Sequence, residues 1–227
     1  VASTPESLRA VWLGRMAFEE ALALQLAARE RVVAGEPGVL FLVEHPPVLT
    51  LGRRARREDI LWSEEQRAAA GVTIWEAPRG GEVTLHGPGQ LVAYPIMMIG
   101  RRIREHIVRL GDVAIAVLGE LGVDGCEFRM EHPGVWRGTE KLASIGIHVS
   151  RGVTVQGISV NLAVDPALFG ALVSCGLHGV TVTSAVAVGG RETTVEAAGR
   201  RFAALYAAQL GLPLVWEGAE GYGSDRR

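Results

Sequence analysis

Lys141 is the only lysine in a chain of 227 residues whose lysines and arginines together number 23. A bias of the source organism toward arginine would give such a count, but it leaves a single amine where every other basic position carries a guanidinium. Lysine cannot be exchanged for arginine where a neutral amine is needed, because the guanidinium stays charged at any working pH. Cys126 and Cys175 are the only cysteines. Two are too few for a disulfide framework, and they lack the CxxC spacing of a zinc or redox site, so each reads as a small buried hydrophobe or a reactive thiol. Cys126 stands at a strand start in VDGCEF, whereas Ser174, Gly176 and His178 make a polar turn around Cys175. His178 reads as a loop residue or as a base. The histidines, at 45, 86, 106, 132, 148 and 178, show no HExxH or other close ligand pairing, and the sequence predicts no metal site.

The run RGGEVTLHGPGQ, Arg79 to Gln90, concentrates glycine, arginine and histidine between two apolar segments. A phosphate-cradling loop needs a strand before it, a helix after it and a Lys-Ser/Thr pair to meet the phosphates. Here GVTIWEAP precedes and LVAYPIMMI follows, and both read as strands. The glycines therefore fall in a strand-to-strand connection, either a plain hairpin loop using positive φ or a wall that closes on a ligand.

The elements that must position these residues follow from periodicity. Apolar residues at helical spacing predict one amphipathic helix from Leu13 to Ala34. VLFLVEHPPVLTLG predicts a buried strand, a Pro-Pro turn and a second strand. Ser63 with Glu65 and Gln66 starts a short helix to Ala70. A helix is expected from Arg104 to Leu121, ended by Gly122, then a short strand at CEFRM. KLASIGIHVSRG and VTVQGISVNLAV alternate as the two arms of a hairpin across an Arg-Gly turn, and their Gly and Ser residues mark the close approach of a backbone or a ligand. A helix from about Thr193 to Leu210 and a last strand at LPLVW complete the chain. Strands and helices mix without βα alternation, so the class is α+β with a mixed, largely antiparallel sheet and flanking helices, in a single domain over 1–227.

Composition narrows the function. Nearly half the residues are apolar and the net charge is −2, with acidic and basic residues interspersed. That excludes the electrostatic footprint of a dedicated nucleic-acid binder. No apolar run is long enough to span a bilayer and no leader pattern is present, so a cytoplasmic location is expected. The one basic run, GRRARR at 52–57, is a solvated loop or a docking surface for an acidic partner.

Taken together, EHPPVLTLGR, RGGEVTLHGPGQLVAYP, GVWRGTEKLASIGIHVSRGVTVQGISVNLAVD and SCGLHGVTVTS resemble the lipoyl(octanoyl) transferase, or lipoate-protein ligase B, family. The resemblance runs from about Leu13 to Ser184 with the motifs in the family's order. It implies a biotin/lipoate protein ligase-like fold, of the class II aminoacyl-tRNA synthetase/biotin synthetase type. It also implies transfer of an octanoyl group from acyl carrier protein to a lysine of a lipoyl domain. By motif, the acyl-carrying cysteine falls on Cys175 and the assisting lysine on Lys141. Two positions depart from the family pattern: Ser174 stands where proline usually precedes the cysteine, and Pro78 where aspartate commonly precedes RGG. They bear on local loop geometry and supply neither the nucleophile nor the amine.

The chemistry the resemblance implies is self-consistent. A cysteine thiol of ordinary pKa, about 8.5, is mostly protonated at neutral pH, and a neighbouring ammonium favours the thiolate. The same amine, once neutral, can take a proton from the attacking lysine of the acceptor. Thioester exchange is nearly balanced and thioester to amide is downhill, so no cofactor and no ATP are expected; the acyl group arrives on the phosphopantetheine of the carrier protein. One wall of the acyl slot is expected from Arg79, Gly80, Gly81, Glu82, Val83, Thr84, Leu85 and His86, the other from Ser144, Ile145 and Gly146 with Gly157, Ile158 and Ser159. Burial of an acyl chain is worth about 0.8 kcal/mol per methylene, so length selection should be graded. Expected partners are acyl carrier protein, lipoyl domains of 2-oxoacid dehydrogenase complexes and glycine cleavage H protein, served by a monomeric enzyme. The alternatives are an ATP-dependent lipoate or biotin ligase, which would not need Cys175, and a catalytically silent module that binds carrier domains or acyl chains.

Overall fold

The computed structural model describes residues 7–172 and 180–222. β1 (Leu8–Arg15) leads into α1 (Phe18–Val33), β2 (Val39–Glu44) and β3 (Val48–Leu51). The expected helix from Leu13 to Ala34 is thus corrected at its start, where the chain is still a strand. Gly14 with φ +69° and a register shift between Trp12 and Arg15 end that strand, and Ala17 is extended. Leu13 shares the helix's spacing but is buried with the core that lies beneath α1.

α2 (Glu64–Ala69) begins as expected on a capping box: Gln66 N–H donates to Ser63 Oγ at 3.3 Å, and Ser63 N–H to Gln66 Oε1 at 2.8 Å. β4 (Thr73–Glu76), β5 (Val83–His86) and β6 (Gln90–Ile96) follow. β5 lies inside the glycine-rich run, and the connection is not a β4–β6 hairpin. β3 pairs parallel to β4 and antiparallel to β5 in a separate three-stranded sheet, while β6 joins the main sheet.

α3 (Ile103–Glu120), β7 (Glu127–Arg129), β8 (Gly134–Arg137), β9 (Glu140–Ser150), β10 (Val153–Asn161), β11 (Thr181–Val182), α4 (Val195–Leu210) and β12 (Leu214–Glu217) complete the described elements. Among the described residues the main sheet has nine strands in the order β12-β1-β2-β6-β10-β9-β8-β7, with β11 added on β9. Its centre, β2-β6-β10-β9-β8, is antiparallel, and β12-β1-β2 is parallel. The β9–β10 hairpin turns on Arg151 and Gly152, both with positive φ, as a tight primed turn requires.

Alternation sorts the sheet's side chains onto two covered faces. Leu40, Leu42, Leu91, Ala93, Ile158 and Val160 pack under α3 and α4. Val39, Phe41, Val43, Val92, Tyr94 and Val155 face α1. His106, on α3, is buried in the first of these layers; its Nε2 has no hydrogen-bond partner among the described residues and its Nδ1 lies 3.4 Å from Tyr206 Oη. Burial lowers its pKa to about 4.

The unfolded chain protonates this histidine below about pH 6.5 while the folded chain resists until about pH 4, so stability is complete above the first value and lost as pH falls toward the second. Urea unfolding of His106→Phe should therefore show a shallower loss on acidification, by roughly 3 kcal/mol between pH 6.5 and 4. An unchanged acid slope would refute this role for His106.

Candidate active site

The glycine-rich run is stretched lengthwise along the β9–β10 hairpin. At one end Gly80 N–H donates to Ile147 O at 3.2 Å. At the other, Gln90 Nε2 donates to Asn161 Oδ1 at 2.8 Å, and Gly89 N–H donates to Glu44 Oε1 at 2.7 Å. Between run and hairpin lies an open cavity.

Small residues keep the floor of this cavity low: Ser144 and Gly146 pair with Ser159 and Gly157. A Cβ at Gly157 would collide with the Ala93 carbonyl, so that glycine serves backbone packing. A Cβ at Gly146 would sit 3.2 Å from Arg79 Cδ. Arg79, Gly80, Gly81, Glu82, Val83, Thr84, His86, Ser144, Ile145, Gly146, Gly157, Ile158 and Ser159 all line the cavity, as does Lys141. Ile145 and Ile158 belong to the core under α3 and α4, so alternation leaves their backbone to border it. Leu85 packs with Leu49 and Val72 and borders a smaller adjoining cavity, which shares Val83, Thr84 and Ser144 with the first. Cys175, with Ser174, Gly176 and His178, lies outside the described residues.

Lys141 is 3 % exposed and its Nζ lies 5.2 Å from the centre of the Trp136 ring, within cation–π range. Its backbone is fixed by β11: Val182 is its parallel partner and Thr183 N–H donates to Lys141 O at 3.0 Å. Asn161 Nδ2 donates to Thr183 O at 2.9 Å, which ties β10 and the Gln90 end of the glycine-rich run to the same point. The chain that follows residue 179 is therefore held against Lys141.

The polar lining is organised in two groups. Arg79, buried, donates to Thr50 O at 2.6 Å, to Thr50 Oγ1 at 2.8 Å and to Gly80 O at 2.9 Å, so its guanidinium clamps the glycine turn to β3. His86 Nδ1–H donates to Gln90 Oε1 at 2.7 Å, because Gln90 Nε2 is already donating to Leu85 O and Asn161. His45 Nδ1–H donates to Met16 O at 2.7 Å, which leaves Nε2 to accept from Tyr94 Oη at 2.9 Å. Burial lowers the pKa of His45 to about 4 and of His86 to about 3, the latter helped by the nearby charges of His45 and Arg79. Both rings are neutral at pH 7, so neither adds a charge to this polar group.

Sequence reasoning missed Val92, Tyr94, Gln156, Arg54 and the 131–133 loop, which also line the cavity. Tyr94 sits in the quoted LVAYP motif, but only the pairing of β6 with β10 brings it under the slot. In the basic run, Arg53, Arg54, Arg56 and Arg57 are exposed; Arg54 pairs with Glu82 at 3.4 Å and its N–H donates to Gly81 O, so the run is bound to the glycine turn. Among the described residues no group of three His, Cys, Asp or Glu could hold a metal, and no helix is long and apolar enough to cross a membrane.

A family model described as the lipoyl protein ligase A/B catalytic domain matches residues 15–206. Octanoyltransferase of Maridesulfovibrio salexigens is 41% identical over 189 residues, covering 81% of this chain and 87% of that protein. Octanoyltransferase of Desulfovibrio desulfuricans is 41% identical over 175 residues, covering 76% of this chain and 73% of its own. Among solved structures, a lipoate-protein ligase A bound with ATP superposes with a TM-score of 0.80 over 93% of this chain and 89% of that one. Its identity is 12%, so that likeness is one of fold.

Proposed function

The chain belongs to the lipoyl protein ligase A/B catalytic-domain family, and on that premise we propose that it moves an octanoyl group from acyl carrier protein, through a thioester on Cys175, to a lysine of a lipoyl domain. Octanoyl transfer in lipoate biosynthesis is its activity, as for its octanoyltransferase relatives. The observation that carries the finer reading is the placement of the only lysine, buried in the wall of a long slot floored by Gly and Ser.

In the first half-reaction the Cys175 thiolate attacks the thioester carbonyl. The bond to the pantetheine sulfur breaks and that sulfur leaves with the proton of Lys141, whose amine is then neutral. The charged Lys141 favours the attacking thiolate. In the second, the acceptor's amine attacks the enzyme thioester and Lys141 accepts its proton as the amide forms and the Cys175 sulfur departs. The octanoyl tail is buried between the glycine-rich run and the hairpin throughout. A reduced thiol as nucleophile agrees with a cytoplasmic site of action. The acceptors on this reading are lipoyl domains of 2-oxoacid dehydrogenase complexes and the glycine cleavage H protein, met by a monomeric enzyme that needs no cofactor.

Incubation with octanoyl-acyl carrier protein in the absence of ATP, followed by intact-mass analysis, should reveal one octanoyl adduct that hydroxylamine removes. An adduct that forms only from octanoate with ATP would make the protein a ligase. Binding without any adduct or transfer would make it a carrier-binding module.

A further inference from the structure

Gln156 is irregular in three ways at once. It has φ +63° in the interior of β10, a left-handed conformation that non-glycine residues seldom adopt in a strand. Its N–H leaves the sheet and donates to Gln25 Oε1, on α1, at 2.8 Å. It lines the main cavity, is 2 % exposed, and its Nε2 has no hydrogen-bond partner among the described residues. Gln25 Nε2, behind it, is likewise buried without a partner. Backbone strain of this kind persists where the surroundings fix it, and buried amide donors left unpaired in a cavity wall are costly to retain.

Its position along the slot gives these features a use. Gln156 is opposite Ile147 on β9; Lys141 lies six residues earlier on that strand, and its Cε reaches beside Gly134, the partner of Ser144, so about 10 Å of strand rise separates the end of the lysine side chain from the level of Gln156. Of the pairs across the hairpin between them, Ser144 with Ser159 and Gly146 with Gly157 are small and floor the slot, while Ile145 with Ile158 and Ala143 with Val160 belong to the core on the other face. The slot is thus low in its middle and bounded by one long polar side chain at each end.

We propose that Gln156 is the residue that determines acyl chain length, a polar stop at the end of the slot opposite Lys141. This rests on the acyltransferase reading, in which the reacting carbonyl lies at the Lys141 end and the methyl terminus points away from it. A chain that ends short of Gln156 leaves the side chain in place. A longer chain has to push that buried side chain aside and offers its amide no acceptor in return, so the gain from each added methylene is offset at that point.

The test compares binding of hexanoate, octanoate, decanoate and dodecanoate by calorimetry, and of an octanoate carrying a terminal hydroxyl, in the wild type, Gln156→Met and Gln156→Asn. Asn keeps both the amide and a tolerance of the left-handed conformation, which guards against misfolding. Gln156→Met should raise the ratio of dodecanoate to octanoate affinity about tenfold and abolish any preference for the hydroxylated chain. Gln156→Asn should move the cut-off to longer chains while keeping that preference. An unchanged length profile in both folded variants overturns the inference and leaves the transfer reading intact. Failure of the wild type to bind any of these acids sinks both the acyl slot and the stop within it.

Discussion

Cys175→Ala and Cys175→Ser are expected to lose the octanoyl adduct altogether and to slow transfer to a lipoyl domain by roughly 10⁴-fold or more, the scale on which removal of a nucleophile acts. Cys126→Ala leaves both nearly intact. The contrast has a structural basis on the Cys126 side: that thiol is half-buried beside the α3 core, approaches Val123 O at 3.7 Å, and its pKa is raised by burial. A thiol held protonated and away from the slot is a poor nucleophile. The measurement is intact mass for the adduct and gel-shift or mass detection of the octanoylated acceptor. Equal loss in the two cysteine variants, with both proteins folded, would remove Cys175 from its role.

Lys141→Arg separates the two half-reactions. On the proposed mechanism the charge that favours the thiolate is kept, so the acyl-enzyme should still form, but the guanidinium cannot accept a proton, and transfer to the acceptor should slow by about 10²–10⁴-fold. Lys141→Met is expected to impair both steps. The methionine variant also controls for packing: a Cβ added at Gly134 would come within 2.8 Å of Lys141 Cε, so there is little room for a bulkier side chain. Rapid-quench rates of each half-reaction decide the matter. Full-speed transfer by the arginine variant would rule out a proton-accepting lysine.

Much of this architecture is legible in the residues because local signals and tertiary structure agree. Ser63 with Gln66 makes the capping box it promises, and the Arg-Gly turn sits at the tip of the hairpin whose alternation announces it. What escapes is what only distant parts of the chain decide. The residues of β1 continue without a break into the helical periodicity of α1, and only the pairing of β1 with β2 and β12 claims them for the sheet. β5 is masked by the glycines on either side of it and exists because β3 supplies a partner.

The same holds within the site. Lys141, the glycine-rich run and the Ser/Gly positions of the hairpin stand out by type, and they do converge on one cavity. The Arg79 clamp on Thr50 joins segments with no shared motif, and so do the His45–Tyr94 and His86–Gln90 pairs, so no spacing rule reveals them. Gln156 was invisible for a different reason: it sits where alternation predicts an ordinary strand residue, and the sequence carries no mark of its backbone angle.

The solitary amine in the slot has an experimental consequence. With no other ε-amine in the chain, lysine labelled only at its ε-carbon places a single labelled resonance in the spectrum, and that resonance belongs to Lys141. The indole ring of Trp136, 5.2 Å away, displaces it from the position of a solvated lysine by its ring current. Any occupant of the cavity that shifts the amine relative to the ring changes that displacement, so one peak can be read as a gauge of occupancy during turnover. Such a probe is built into the native sequence and needs neither a tag nor a mutation.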